Sequence, residues 1–310
     1  MRHGRARRMP AALLGAALLL SACGDVASDA TVTGDAQEGS LDRYRQTLAT
    51  AAKPVSTALA GTASARTLKA LTAQLAQAEQ AAGQAAGQLD QVTPPPDVRA
   101  EHADLVQAFR RLNGDLGVLR DAVEGRELCA PTAVMARLGQ ADGLAAVRAA
   151  SGALAVKGSP QGYMLAFPVP ATPTEQSRRL PNGQFVRQGS RTGRGELTID
   201  NDSELDTVIT LALGKRPALS VYVRNHARDK ITGIRDGTYQ IYYTTGVDWD
   251  PKARAFTRGC TFERFDDTFK FKTTQSAAEV VWTTWSVGLK PVAGGNADTS
   301  EVDPNDFPAA

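Results

Sequence analysis

Residues 68–92 read LKALTAQLAQAEQAAGQAAGQLDQV. Leu68, Leu71, Leu75, Ala78, Ala82, Ala85, Leu89 and Val92 recur there at steps of three and four. That spacing places side chains on one stripe of an α-helix, and alanines on the stripe let a second helix approach closely. Pro94-Pro95-Pro96 then ends the helix, because proline has no N–H to donate and clashes with the preceding turn. Asp97 is placed to cap the next helix, whose stripe is Val98, His102, Leu105, Phe109, Leu112, Leu116, Leu119 and Val123. An earlier helix is marked by Leu41, Tyr44, Leu48, Val55 and Leu59 and contains Pro54. A fourth, less regular one runs from Pro131 through Met135, Leu138, Leu144, Val147 and Leu154. Short connections make such helices antiparallel neighbours, so residues 41–156 are expected to form an up-and-down bundle of about four helices.

Beyond the bundle the texture changes. Residues 157–194 are rich in Pro, Gly, Ser and Arg and read as linker or surface loop, with one strand over 163–169. From Gly195, β-branched and aromatic runs cover 197–199, 207–213, 219–223, 239–243, 260–265, 269–273 and 280–289, separated by turn signals such as Asp236-Gly237. About seven strands at this spacing predict an antiparallel β-sandwich over residues 195–310. The expected class is therefore α+β in two domains, helical bundle first.

The start of the chain has a different logic. Arg2, Arg5, Arg7 and Arg8 precede an apolar run over residues 11–20, which is too short to span a bilayer. Leu20-Ser21-Ala22-Cys23 follows and resembles the bacterial lipobox, in which the cysteine thiol takes a diacylglyceryl group and cleavage occurs just before it. The resemblance implies a signal peptide over 1–22, lipidation at Cys23, and a protein held at the outer, extracytoplasmic face of a cell membrane. Arg7-Arg8 lacks the surroundings of a twin-arginine signal, so general secretion is the expected route. Residues 23–40 are small and polar and read as a tether, since they offer too little apolar surface to bury.

Two further stretches carry a likeness. Asp236-Gly237-Thr238-Tyr239-Gln240-Ile241-Tyr242-Tyr243 and Gly246-Val247-Asp248-Trp249-Asp250, with the run from Phe256 through Cys260 to Phe265, are similar to a β-domain of secreted chains and lipoproteins of actinobacteria. With the helical half, the chain resembles envelope lipoproteins of that group. The likeness covers most of residues 195–310 and implies a fold without implying a chemistry. The Gly-Thr-Tyr turn also occurs in transthyretin-like sandwich modules.

Charge narrows the partners. Cleavage before Cys23 removes four arginines from 35 basic residues and leaves slightly fewer than the 33 acids. A nearly neutral chain without a basic patch is not built for nucleic acid. No later apolar run approaches the roughly 18 residues of a membrane helix.

Candidate chemistry is sparse. His102 and His226 are the only histidines after the leader, which leaves few bases for a serine or cysteine triad. The chain shows no Gly-x-Ser-x-Gly elbow, phosphate-cradling loop or His-Glu-x-x-His helix. His102 lies on the bundle stripe, where it reads either as a metal or haem ligand or, preferably, as a hydrogen-bonded core histidine. Asp200, Asp202, Glu204 and Asp206 alternate as calcium ligands can, but the spacing fits a solvated acidic turn better. Asp248-Trp249-Asp250 puts an indole between two acids in an expected loop, where it either binds a sugar or partner or folds back over a sheet edge. Cys129 and Cys260 remain once Cys23 is acylated, and they are either buried thiols or, by a narrow preference, a disulfide joining the two halves.

These features favour a non-enzymatic binding or scaffold protein of the cell envelope, with no cofactor and no metal. It would be held in the membrane through Cys23 and would face an envelope protein or cell-wall glycan. The alternatives are a glycan-active hydrolase or transferase working through paired carboxylates, and a small-ligand or metal carrier built around His102.

Overall fold

The computed structural model describes residues 31–157, 162–289 and 298–308. The lipobox cysteine Cys23 and the leader lie outside them. The backbone separates into two units, Met1–Leu41 and Asp42–Ala310. The described part of the first is the opening of helix α1 (Thr31–Ser64), which begins inside the stretch read as a tether. Everything below concerns the second unit.

After α1 come α2 (Leu68–Asp90), α3 (Arg99–Glu124), α4 (Pro131–Gly139) and α5 (Asp142–Ala155). Thr67 caps α2, its hydroxyl accepting from the Ala70 N–H at 3.1 Å. The stripes of α2 and α3 are buried as their periodicity requires, with Leu75, Leu89, Leu105, Phe109, Leu112 and Leu116 fully enclosed. Each such side chain contributes about 1.5–3 kcal/mol through removal from water. The described helices include none long and apolar enough to cross a membrane.

Two helical expectations need correction. The fourth helix is two helices, broken between Gly139 and Asp142. The break seats α5 against α3. A Cβ on Gly143 would lie 2.4 Å from the Leu112 backbone nitrogen, and the Asp115 carboxylate of α3 accepts from the Gly143 N–H at 2.8 Å. Asp97 does not cap α3: a 3₁₀ turn, Pro96–Val98, precedes that helix, and Asp97 accepts instead from the Tyr163 hydroxyl.

The strands are β1 (Gln184–Arg187), β2 (Gly195–Asn201), β3 (Asp206–Leu213), β4 (Arg216–Val223), β5 (Ala227–Ile234), β6 (Gly237–Asp250), β7 (Ala255–Phe271), β8 (Thr273–Gln275), β9 (Val280–Trp282), β10 (Thr284–Gly288) and β11 (Thr299–Glu301). A six-stranded antiparallel sheet runs β1-β4-β3-β6-β7-β11, a three-stranded sheet runs β10-β2-β5, and β8 and β9 form a separate hairpin. Ile209, Leu211, Val221, Ile241 and Phe265 of the larger sheet share one apolar core with Leu197, Ile199, Ile231 and Val287 of the smaller.

One pairing departs from the antiparallel expectation: β10 runs parallel to β2. A parallel neighbour must return by a long crossover, and here the chain passes through the larger sheet before coming back to the edge of β2. The two expected runs at 260–265 and 269–273 are one long strand, β7, while the run at 280–289 divides into β9 and β10 at Thr283. Residues 163–169 form no strand. They lie extended along the helices, with Tyr163 edge-on to Tyr44 at 5.2 Å and Phe167 edge-on to Phe109 at 5.8 Å.

Candidate functional site

The Asp248-Trp249-Asp250 segment ends β6 rather than forming a loop. It pairs with β7 in the register Val247↔Arg258, Trp249↔Phe256 and Asp250↔Ala255, and the turn comes only after Asp250. Trp249 is 1% exposed. Its ring meets Phe256 at 5.1 Å and Tyr222 at 5.9 Å, both edge-on, inside a second apolar cluster with Val208 and Cys260. Leu68 of α2, Cys129, Leu180 and Val186 pack against the same cluster, so it joins helices and sheet to the strap, the segment of residues 170–183 that leads into β1. The indole therefore presents no face to solvent.

Asp248 is buried as well, at φ +58°. Its carboxylate accepts from the Arg178 backbone N–H at 2.8 Å, from Arg178 Nε at 2.8 Å and Nη2 at 2.9 Å, and from the Thr257 hydroxyl at 2.7 Å. The Trp249 N–H returns a bond to the Arg178 carbonyl at 2.9 Å. Asp250 lies 3.5 Å from the same guanidinium and accepts from the Lys252 N–H at 2.9 Å.

The next residue of the strap repeats the device one strand further on. Arg179 grips Asp206 with Nε at 2.6 Å and with Nη2, while Asp206 also accepts from the Tyr222 hydroxyl and from the Asn225 N–H at 2.9 Å. Burial pushes the Asp206 and Asp248 carboxyls up, but the hydrogen bonds they accept and the guanidinium charges outweigh it. Both stay below the ordinary carboxylate range. Burial, followed by the bond to Asp206, drives the Tyr222 hydroxyl well above its usual value, so it remains a donor.

A further tie joins the helical half to the sheet. Cys129 and Cys260 are paired at disulfide distance, with Cα atoms 6.3 Å apart. Around them the chain before α4 adds to β7 almost as a strand. Cys129 N–H donates to the Thr257 carbonyl at 2.7 Å, Gly259 N–H to Glu127 at 3.0 Å and Cys260 N–H to Arg126 at 3.2 Å. Beside this seam Arg258 pairs with Glu175 and donates to the Gln176 carbonyl at 2.6 Å. Burial, and then repulsion from Arg137, hold its guanidinium below its ordinary value.

Cavities of about 160 Å³ and 130 Å³ flank Asp248 on either side of the strap. Both are smaller than the roughly 300 Å³ at which small-molecule sites begin. A larger apolar groove of about 660 Å³ runs between Ala49, Lys53 and Ala60 of α1 and the extended segment at Ala166 and Pro168.

The other sequence candidates are placed as follows. His102 is buried, its Nε2 donating to the Leu89 carbonyl at 2.9 Å and its Nδ1 bonded to the Tyr44 hydroxyl at 2.9 Å. A carbonyl can only accept, so Nε2 carries a proton and neither ring nitrogen is left over for a metal. The alternating acids are dispersed among separate partners: Asp200 on Arg228, Glu204 on His226, and Asp206 in the clamp. Among the described residues, no three His, Cys, Asp or Glu side chains gather as metal ligands do. Comparison with known protein families, curated proteins and solved structures gave no match.

Arg178, Arg179, Tyr222, Thr257 and Arg258 were invisible as a set in the sequence. The only available signal was an arginine pair inside a polar linker, a pattern that ordinarily marks solvated chain.

Proposed function

We propose that the chain is a lipid-anchored envelope protein, held through Cys23 at the outer face of a membrane, whose bundle and sandwich act as one rigid scaffold for a protein or cell-wall partner rather than as an enzyme. The observation that carries this reading is the Cys129–Cys260 pair, which ties the helical half to β7, together with the Arg178–Asp248 and Arg179–Asp206 clamps, which bind the linker between the halves to the sheet. Such ties fix the surfaces of the two halves relative to each other, as a binding platform needs. They also saturate Asp206 and Asp248, the best-buried carboxylates near a cavity, with donors already in place, so neither offers a free lone pair to a substrate proton. A cysteine pair separated by so much sequence suits an oxidising, extracytoplasmic compartment.

Replacing Cys23 with Ala and fractionating cells tests the anchor. The variant should leave the membrane fraction or accumulate uncleaved, and unchanged, fully processed membrane attachment overturns the reading. Cross-linking in intact cells tests the scaffold role. One recurrent partner should be recovered with the native chain and lost when the clamp is opened by Arg178→Ala together with Arg179→Ala; turnover of purified cell-wall glycan by the native chain contradicts it.

A further inference from the structure

We propose that the β8–β9 hairpin, with the start of β10, is a contact surface for an anionic lipid bilayer. Trp and Val side chains are ordinarily enclosed in a sheet core, but here Val281, Trp282 and Trp285 are 53%, 40% and 37% exposed. Val281 and Trp282 sit on a two-stranded unit that no third strand extends among the described residues, and Trp285 follows on β10. The unit is nonetheless closed by hydrogen bonds at both ends. Its turn is closed by the Ser276 N–H donating to the Glu279 carbonyl at 2.9 Å and by the Ser276 hydroxyl accepting from the Ala278 and Glu279 N–H groups. Its base is held by the Thr283 N–H on the Lys272 carbonyl at 3.1 Å, with the Lys272 N–H on the Thr283 hydroxyl at 3.1 Å.

The two indoles are set for an interface. Trp285 Nε1 donates to the Lys270 carbonyl at 3.1 Å, so its polar atom is satisfied within the protein and the remaining ring is apolar. The Arg194 guanidinium lies over the Trp282 ring at 6.0 Å. Tryptophan concentrates where hydrocarbon meets headgroups, and long cationic side chains lay their stems along apolar surface while the charge reaches outward.

Charge chooses the bilayer's sign. Arg194, Arg235, Lys270 and Lys272 are all exposed around the hairpin. The nearby acids are partly occupied: Asp236 accepts from the Thr273 N–H and hydroxyl at 2.8 Å each and feels the Lys272 charge, and Glu196 pairs with Lys230 at 2.6 Å. Among the described residues, Glu279 at the turn is the one acid at the tip. A small exposed apolar surface along the side and base of the hairpin, bordered by cations, suits a fluid anionic surface, which needs no shape match, better than a protein groove, which does.

The surface is independent of the Cys23 anchor, and the test separates them. The full chain carrying Cys23→Ala is mixed with vesicles whose acyl chains are brominated, made either with phosphatidylglycerol or with phosphatidylcholine alone, and tryptophan quenching is read. Trp249 is enclosed and serves as the internal unquenched reference. Quenching is expected on anionic vesicles only, and Trp282→Phe should remove roughly half of it, since two of the three indoles reach the surface. Lys270→Gln with Lys272→Gln should weaken anionic-vesicle binding roughly thirty-fold at low salt, with the thermal midpoint unchanged. Equal quenching on both vesicle types, quenching that survives Trp282→Phe in full, or no quenching at all overturns the proposal.

Discussion

Replacing both Cys129 and Cys260 by alanine should make the folded state much easier to unfold while leaving its structure in place. The pair closes a loop of 131 residues. In the chain-entropy account a cross-link over that span removes about 5 kcal/mol of freedom from the unfolded chain. The folded state should change little, because the seam is also held by the Cys129, Gly259 and Cys260 N–H bonds and by the Leu128↔Arg258 bridge. For a chain of this size each kcal/mol is worth roughly 2–4 °C, so the midpoint should fall by roughly 10–20 °C. Thermal unfolding followed by circular dichroism measures it, with native chain plus thiol reductant as a second arm. The reductant should bring the native chain down to the variant and leave the variant unmoved. A double variant within about 1 kcal/mol of native stability would refute the reasoning, since the halves would then be held without need of the cross-link.

Two further predictions concern charge and close packing. The folded carboxyls of Asp206 and Asp248 lie below their ordinary range, so their stabilisation is complete above about pH 3.9, the unfolded value, and is lost as the pH falls from there toward the folded values. Urea midpoints between pH 7 and pH 2.5 should show this loss. Asp206→Asn should remove the Asp206 share of it, leaving that of Asp248, and cost about 2 kcal/mol at neutral pH, a figure that discounts Arg179 for its exposure to solvent. Gly143→Ala places a methyl against the Leu112 and Arg111 backbone and should destabilise by about 1–3 kcal/mol. Gly152→Ala in the same helix meets nothing within 4 Å and should stabilise by up to about 1 kcal/mol. The two changes having the same sign in denaturant titration would show that α3 and α5 do not cross as closely as described.

The parts of the fold legible in the sequence are those whose signal is local and periodic. The stripes of α2 and α3 could be read residue by residue because a helix face repeats along one segment. The run from Thr207 to Leu213 could be read because a strand buried on both sides is rich in β-branched and aliphatic residues. Strand β5, ARDKITGI, was missed because only Ile231 and Ile234 turn inward and the rest is polar. The break between α4 and α5 was missed because it serves a contact with α3, more than twenty residues earlier, which no local pattern encodes. The clamps fail for the same reason: Arg178 meets Asp248 across 70 residues of sequence and Arg179 meets Asp206 across 27. The cysteine pair was legible only by counting, and its geometry was not.

The Trp249 segment shows why an acid-aromatic-acid triplet misleads. On a strand, neighbouring side chains point to opposite faces, so a tryptophan between two aspartates is a surface pattern only when one face is open. Here both faces are covered. Trp249 turns to the cluster shared with Leu68 and Tyr222, and the strap carrying Arg178 covers the aspartates on the other side. A buried carboxylate is tolerable only with its charge and lone pairs answered, and Arg178 answers Asp248 with two guanidinium bonds and a backbone bond. The acids that suggested a solvated loop are thus the reason the polar linker has a defined path. The same bonds that exclude a ligand from Asp248 fix the strap across the end of the sheet, where it meets the helices through Leu180 and the cysteine seam.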